Sequence, residues 1–305
     1  MPAKPDIARA GIALGIGLYL TGVFFFAAND ALGKWLVFEG GAEYGVAQLL
    51  FIRTFGGLLL MLPFVWHTKA SLALKGSKPL HLLRILCQTG DSFCFYYSTK
   101  TMPLADVMTF YMAGPIIITA VSGLFLGERV GPYRWGAVLF GFVGVVIALA
   151  PTSETFSPTA LIALTGSTLF GISVAMTRRL RDTHPLSLTI WQFVGSGIIG
   201  LILCPLDWVT PSVPDFGLML VVGLVAAGSF FCIARALALA PASLLAPFQY
   251  SAIFWAAVMG WLVFHDTPTP RIFIGNAILI ASGLFVFYRE RRLAISISDK
   301  VEPIP

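Results

Sequence analysis

Ten stretches of about twenty mostly apolar residues follow one another along the chain, separated by short polar connections. As helices, such stretches are long enough to cross a bilayer core of roughly 30 Å. The predicted spans cover residues 11–35, 46–66, 81–100, 103–126, 133–151, 157–178, 186–206, 215–238, 241–263 and 271–289. Because the connections leave no room for a separate soluble domain, the pattern predicts an all-α integral membrane protein with ten transmembrane helices.

The composition supports this prediction. Hydrophobic residues make up 57% of the chain and charged residues 11%, whereas a soluble domain carries about 25% charged residues. The first span is far longer than a signal-peptide core of roughly 7–15 residues, so we expect it to be a retained helix. The four cysteines lie in apolar segments without metal-ligand spacing, and we expect neither a metal nor a cofactor.

The basic residues predict the topology. With a cytoplasmic N-terminus, all but four of the twenty Lys and Arg residues fall on the cytoplasmic side. The exceptions are Lys34, Lys100 and Arg271 on the other side and Arg53 within a span. Cytoplasmic segments of membrane proteins are enriched in Lys and Arg, so both termini are predicted to be cytoplasmic. The basic residues are dispersed among loops, which argues against nucleic-acid binding and indicates a lipid bilayer as the surrounding medium.

The two halves of the chain are related in sequence. A shift of 138 residues aligns proline, phenylalanine and acidic residues, in the pairs Pro103/Pro241, Phe110/Phe248, Glu128/Asp266 and Pro132/Pro270. A shift of 144 aligns the first helices of the halves, in the pairs Gly22/Gly166, Phe26/Phe170 and Lys34/Arg178. Since each half has five spans, an odd number, the second must cross the membrane in the opposite sense. We predict a first repeat over residues 1–151, an inverted repeat over 152–292 and a polar cytoplasmic tail over 293–305.

The duplicated ten-span plan, the sequence FLGERV at Phe125–Val130 and the glycine-rich helix that follows resemble the drug/metabolite transporter superfamily, EamA type. The glycines of that helix are Gly136, Gly141 and Gly144. The resemblance implies export of small metabolites from bacteria across the inner membrane, and the aromatic-rich spans make the chain most similar to aromatic and neutral amino-acid exporters. The second copy departs from the family pattern at Val263–Asp266, and it has Ile253 where the first has Pro115.

Ionisable residues within spans are costly to insert, about 2.5–3.5 kcal/mol each, and therefore indicate function. Asp30, Arg53 and Asp106 lie at similar depth, roughly 8–12 Å from the predicted outer surface at 1.5 Å per residue. We hypothesise that Arg53 neutralises Asp30 or helps hold a substrate carboxylate, against the alternatives of a structural pair or a snorkelling arginine. For Asp30 the alternative is an intrahelical pair with Lys34, four residues later. Asp106 follows Pro103 in the first turn of its helix, where it could equally serve as a helix-dipole partner.

A polar and aromatic face is predicted on the third span, where Gln88, Asp91, Ser92, Phe95 and Thr99 recur at intervals of three and four residues. A carboxylate at mid-membrane depth could bind a substrate ammonium or carry a proton. The alternative is a protonated aspartic acid that hydrogen-bonds a neighbouring helix.

Apolar walls with few polar anchors suit a zwitterion that bears a hydrophobic side chain. We expect further substrate contacts from polar and aromatic residues of the fourth span and the second half, namely Thr109, Phe110, Phe170, Trp191, Phe230, Phe248 and Gln249. For each aromatic residue taken singly, a position in the core or against lipid is the competing interpretation.

Pro115 and Pro247 lie in the paired fourth and ninth spans and are the predicted hinges, with ordinary packing kinks as the alternative. Glu128 lies at the cytoplasmic end of its helix beside basic residues. We interpret it as a structural contact between the fourth and fifth spans.

The predicted function is a secondary transporter that works by alternating access and exports aromatic or neutral amino acids or similar metabolites. The alternatives are a nucleotide-sugar or drug transporter of the same superfamily, or a membrane-embedded enzyme. A dinegative phosphate would favour several cationic residues within the spans, where only Arg53 is found. Metal-dependent enzyme chemistry would favour paired histidines, but His67, His81, His184 and His265 all fall at span ends, so the chain is not expected to be an enzyme.

Overall fold

The computed structural model describes residues 5–38, 42–68, 72–101, 104–112, 114–125, 130–149 and 158–264, together with scattered positions between 274 and 289. The regular elements of the described residues are all helices. They are α1 (Pro5–Val37), α2 (Val46–Thr68), α3 (Lys78–Thr101), α4 (Leu104–Tyr111), α5 (Gly114–Phe125), α6 (Pro132–Leu149), α7 (Pro158–Arg179), α8 (Pro185–Leu203), α9 (Val213–Leu239), α10 (Ala242–Leu245) and α11 (Ser251–Phe264). The all-α prediction is confirmed for these residues.

Six helical stretches of the described chain are long and apolar enough to cross a membrane. They are Gly11–Val37, Val46–His67, Pro158–Arg179, Pro185–Leu206, Val213–Leu239 and Ala246–Val263. Helix α3 has 24 residues, but Lys78, Arg84, Asp91 and Lys100 reduce its hydropathy. The described positions of the predicted tenth span, such as Ala277 and Ser282, are helical. The count of ten spans and the cytoplasmic termini stay predictions.

The predicted fourth and ninth spans are interrupted rather than continuous. The fourth is divided into α4 and α5, and α5 begins one residue before Pro115. The ninth passes from α10 through a 3-10 turn at Ala246–Tyr250, which contains Pro247, into α11. Proline lacks the N–H needed for a helical hydrogen bond and clashes with the preceding turn, so both breaks have a local cause. That these prolines act as hinges stays a prediction.

The two halves interleave, and their contacts are reciprocal. Helix α1 packs on α9 and α7 packs on α3, while α2 packs on both α8 and α9. At residue level, a Cβ added at Gly22 would lie 3.4 Å from Cβ of Cys232, and one at Gly166 would lie 2.8 Å from Cβ of Cys94. Phe26 and Phe170 touch each other, with ring centroids 6.0 Å apart. The predicted pair of repeats would produce this exchange pattern, but the inverted orientation of the second repeat stays a prediction.

Small residues permit the closest helix crossing, between α2 and α9. A Cβ at Gly56 would overlap the backbone carbonyl of Leu220, and one at Gly223 would overlap the carbonyl of Arg53. Close backbone approach through small residues is a general basis of helix association in membranes, where lipid removes most of the hydrophobic drive between helices. This crossing fixes the height of Arg53 relative to α9.

We predict that Gly223→Ala destabilises the protein by at least about 1–3 kcal/mol, the usual cost of overpacking a filled interior. Both clashing groups are backbone atoms, so a side-chain rotation cannot relieve the overlap. The measurement is the thermal unfolding midpoint of the purified protein in detergent.

Gly217→Ala, on the same helix, is the matched control because nothing lies within 4 Å of a Cβ at that position. The control should leave the midpoint unchanged or raise it slightly, since alanine favours helix over glycine. Equal midpoints for the two variants would contradict the close crossing.

Candidate functional site

A cavity of about 50 Å³ lies inside the bundle, where α1, α2, α3, α7 and α9 meet the two interrupted spans. Its lining combines polar and charged side chains with aromatic ones. The polar members are Asn29, Asp30, Arg53, Asp91, Ser92, Tyr96, Tyr111 and Gln249, and the others include Phe26, Phe95, Phe170 and Phe230. Eight of the candidate functional residues from the sequence therefore share one cavity, namely Asp30, Arg53, Asp91, Ser92, Phe95, Phe170, Phe230 and Gln249. Their role in binding stays a prediction.

Arg53 is only 3% exposed. Its Nη2 donates a hydrogen bond of 3.2 Å to Oγ of Ser92, and its guanidinium lies 5.8 Å from the ring centroid of Tyr96. Its Nε has no hydrogen-bond partner. Within the described residues, neither Asp30 nor Asp91 comes within the 4 Å of an ion pair with it. The guanidinium therefore keeps an unused donor in a cavity that it shares with two carboxyl groups.

Asp91 is held from one side. Its Oδ2 accepts a hydrogen bond of 2.8 Å from Nε2 of Gln88, and Oε1 of Gln88 accepts one of 2.9 Å from Ser173. The hydroxyl of Tyr111 donates to the backbone oxygen of Asp91 at 3.0 Å. The Oδ1 atom of Asp91 is buried without a partner. Gln88 thus orients Asp91 from behind and does not itself line this cavity.

Asn29 and Tyr96 complete the polar wall, and neither was predicted from the sequence. Nδ2 of Asn29 donates to Oδ1 of Asp30 at 3.1 Å and to the hydroxyl of Tyr96 at 3.0 Å. Oδ1 of Asn29 is buried without a partner. The only sequence signals were adjacency to Asp30 and, for Tyr96, the interval of four residues from Ser92.

Three phenylalanines from three helices form the aromatic wall. Phe26 contacts Phe170 with centroids 6.0 Å apart and Phe230 at 5.4 Å, both edge to face. We call Phe26, Phe170 and Phe230 the aromatic trio. Edge-to-face pairs at these distances add about 0.5–1.5 kcal/mol each to the burial of the rings, so these contacts stabilise the packing of the three rings.

The two interrupted spans contribute one polar residue each to the lining, at positions that the shift of 138 matches. Tyr111 ends α4, and Gln249 lies in the 3-10 turn. The hydroxyl of Tyr19 donates to Oε1 of Gln249 at 3.0 Å. Broken helices at corresponding places in two repeats are a common position for substrate sites in transporters.

Other predicted residues lie elsewhere. Trp191 is 39% exposed, and its Nε1 donates to the carbonyl of Leu72 at 3.0 Å, away from the cavity. Phe110 and Phe248 are half-buried and pack against the main hydrophobic core. The side chains of Asp106 and Thr109, and the whole of Glu128, lie outside the described residues.

The atoms that lack partners define what the cavity can hold. They are a guanidinium donor on Arg53, a carboxyl oxygen on Asp91 and an amide oxygen on Asn29. A buried polar atom without a partner costs about 1–3 kcal/mol, and more when it is charged, so a polar guest would be stabilised here. The cavity has room for a few water molecules, but it is far smaller than the roughly 300–1,000 Å³ of pockets that hold drug-sized ligands. A metabolite requires the bundle to open.

A helical bundle that spans the membrane and encloses a charged, aromatic-walled cavity is the architecture of a multi-pass membrane transporter. The chain belongs to the EamA-like transporter family, whose model matches residues 13–150 and again residues 157–288. The resemblance seen in the sequence is confirmed at the level of the family.

Two relatives illustrate the range of cargo. The chain is 24% identical over 282 residues to the S-adenosylmethionine uptake transporter of Rickettsia bellii, covering 92% of this chain and 95% of the relative. It is 27% identical over 295 residues to the riboflavin transporter of Rhizobium johnstonii, covering 96% and 95%. A solved crystal structure matches the fold with a TM-score of 0.73 at 18% identity, covering 94% of this chain and 99% of the other.

We predict that Asp91→Asn leaves folding intact while it lowers transport by roughly ten- to hundredfold, the cost of losing a charged hydrogen bond of about 1.5–3 kcal/mol. The amide oxygen can still accept from Gln88, and a buried charge is removed, so the unfolding midpoint should stay equal or rise. Transport into liposomes and thermal unfolding are measured on the same preparation.

Asp182→Asn is the control, because Asp182 is an exposed acid in the loop after α7. It should change neither readout. A parallel fall in midpoint and transport for Asp91→Asn would assign Asp91 to the structure rather than to the cargo.

Proposed function

We propose that this protein is a secondary transporter of the bacterial inner membrane whose cargo is a small zwitterionic metabolite with an aromatic or apolar body. The observation that carries the proposal is a pair of buried polar atoms without partners, Nε of the Arg53 guanidinium and Oδ1 of the Asp91 carboxyl group, on two residues that line one cavity walled by phenylalanines. Arg53 would pair with a carboxylate and Asp91 with an ammonium, while the aromatic trio contacts the body.

Aromatic and neutral amino acids fit this description. S-adenosylmethionine shares the α-amino-acid head group and an aromatic adenine ring, and it carries an additional positive charge on its sulfonium. The relative named for S-adenosylmethionine supports the second choice, and the resemblance to amino-acid exporters supports the first. Nucleotide sugars fit less well, because Arg53 is the one basic residue among the described residues that line the cavity.

Riboflavin is the second candidate, favoured by the relative that covers 96% of this chain. Its flat ring would suit the aromatic trio. A neutral flavin would leave the charges of Arg53 and Asp91 unpaired, which is why we place it after a zwitterion.

Alternating access requires that the halves separate at one end of the bundle at a time, and direct contacts hold both ends closed. At one end the hydroxyl of Tyr44 donates to Asp215 at 2.8 Å. There, Gln48 and Val209 exchange side-chain to backbone bonds of 2.6 and 2.9 Å. We call this the 44–48 seam. In the predicted topology this seam lies at the outer, non-cytoplasmic side of the membrane.

At the other end Lys75 and Thr183 exchange hydrogen bonds of 3.2 and 3.0 Å. The indole of Trp191 adds its bond to Leu72, so the residue that was expected to bind substrate ties the halves together here. We call this the 72–75 seam. Its partners are both cytoplasmic in the predicted topology, and the cavity lies between the two seams.

The transport test uses purified protein in liposomes with labelled phenylalanine, S-adenosylmethionine, riboflavin and a nucleotide sugar. We expect saturable transport of at least one α-amino acid or S-adenosylmethionine, and a loss of roughly tenfold or more in Arg53→Gln because a charged pair is removed. Loading the cargo inside or outside decides between export and uptake. Transport of riboflavin alone, unaffected by Arg53→Gln, would overturn the zwitterion proposal.

The seam test uses cysteine pairs in a background that lacks the four native cysteines. We expect a short thiol cross-linker to stop transport when it joins Gln48→Cys to Val209→Cys, and also when it joins Lys75→Cys to Thr183→Cys. Each end must open once in a transport cycle. A reductant that cleaves the linker should restore transport.

Each single-cysteine variant, treated in the same way, controls for modification without cross-linking. Continued transport with either seam fully cross-linked would exclude an opening at that end.

A further inference from the structure

A second cavity, of about 20 Å³, lies next to the first on the side of the 72–75 seam. Its lining includes Arg84, Thr177, Leu188 and Thr189, which all lie near the ends of their helices at that seam. The aromatic trio lines both cavities. The three rings are therefore the partition between two compartments along one line through the bundle.

Arg84 is the charged group of this second cavity. It is 5% exposed, and its Nη2 donates to the backbone carbonyl of Leu188 at 2.8 Å. Its Nε is buried without a partner. No carboxylate is found among the described residues that line the cavity. A guanidinium is always charged in proteins, and a buried charge without a counter-charge costs several kcal/mol.

A row of polar residues along one face of α3 extends from the first cavity to the second. Arg84, Gln88 and Asp91 are spaced four and three residues apart, so they share one helix face. The Cα atoms of Asp91 and Arg84 are about 10 Å apart along the helix axis, with Gln88 between them. Gln88 lines the second cavity and hydrogen-bonds Asp91 in the first.

We infer that Arg84 forms a second binding subsite for the carboxylate of the cargo, separate from Arg53 and reached by passage across the aromatic trio. The inference rests on the proposed function for the identity of the anion. Arg53 would hold the carboxylate while the cargo occupies the central cavity, and Arg84 would hold it once the rings of the trio have turned aside toward the 72–75 seam.

A purely structural role does not account for the arrangement. The tie to Leu188 uses one N–H of a group that has five donors, and a neutral amide could make the same bond without a buried charge. Arg53 and Arg84 line the two cavities on either side of the trio, and each has an Nε atom without a hydrogen-bond partner. A carboxylate that passes from one cavity to the other would bind first one guanidinium and then the other.

The test measures thermal unfolding of the purified full chain in detergent with benzoate, an aromatic carboxylate, and with benzamide as its neutral counterpart at the same ionic strength. Benzoate at about tenfold over its Kd should raise the wild-type midpoint by about 3 °C, and benzamide should not. Arg84→Gln should lose at least half of the shift, while Arg84→Lys should keep most of it because the charge remains. A full wild-type shift in Arg84→Gln, or no shift in the wild type, would overturn the subsite.

A second pair of variants keeps the test decisive if Arg84→Gln does not fold. Thr189→Asp places a carboxylate beside Arg84 and should abolish the response to benzoate, whereas Thr189→Asn, of nearly the same shape, should retain it. Equal responses from these two variants would also overturn the subsite. Because benzoate binding is read without transport, a failure of the subsite and a failure of the proposed cargo give different results.

Discussion

The electrostatics of the site depend on one constraint: Arg53 and Asp91 are buried in a bundle that lipid surrounds, and neither has a full set of partners. A charge in such a place is tolerated when it is paired, hydrogen-bonded or turned toward a polar cavity. Here Ser92 accepts one bond from Arg53 and Gln88 donates one to Asp91, while Nε of Arg53 and Oδ1 of Asp91 have no partner and both residues line the cavity. A guest of complementary charge would therefore bind favourably, because it would form the hydrogen bonds that these atoms do not make within the protein.

That preparation requires rigid support, which the glycines provide. The carbonyl of Arg53 itself meets α9 at Gly223, so the backbone that carries the guanidinium is fixed by the closest crossing in the described bundle. Gly22 and Gly166 repeat the device for the pairs α1–α9 and α7–α3. These close contacts join helices of one half to helices of the other within the described residues.

Much of the site was predictable because helix periodicity places side chains on a common face. Asp91, Phe95 and Gln88 followed from intervals of three and four residues, and the helix breaks near Pro115 and Pro247 from the missing N–H of proline. Periodicity does not show which residue of another helix a side chain contacts. Asn29 and Tyr96 form a hydrogen bond although they are 67 residues apart in sequence. Trp191 donates to Leu72 of the other half. Arg84 was predicted to be a cytoplasmic cation, but its side chain is buried within the bundle. Arg84 precedes Gln88 by four residues, so helix periodicity places Arg84 on the same face of the third span as Gln88 and Asp91.

The carboxyl and guanidinium groups that line the cavity all come from the first half of the chain, whereas the aromatic wall comes from both halves. Asp30, Arg53 and Asp91 all lie on α1 to α3, whereas Phe170 and Phe230 lie on α7 and α9 and bring no ionisable group to the cavity. Substitutions on the second set can widen or reshape the apolar wall without adding or removing a buried charge. In this chain, therefore, the apolar wall can be reshaped at Phe170 and Phe230 while the ionisable groups on α1 to α3 stay in place.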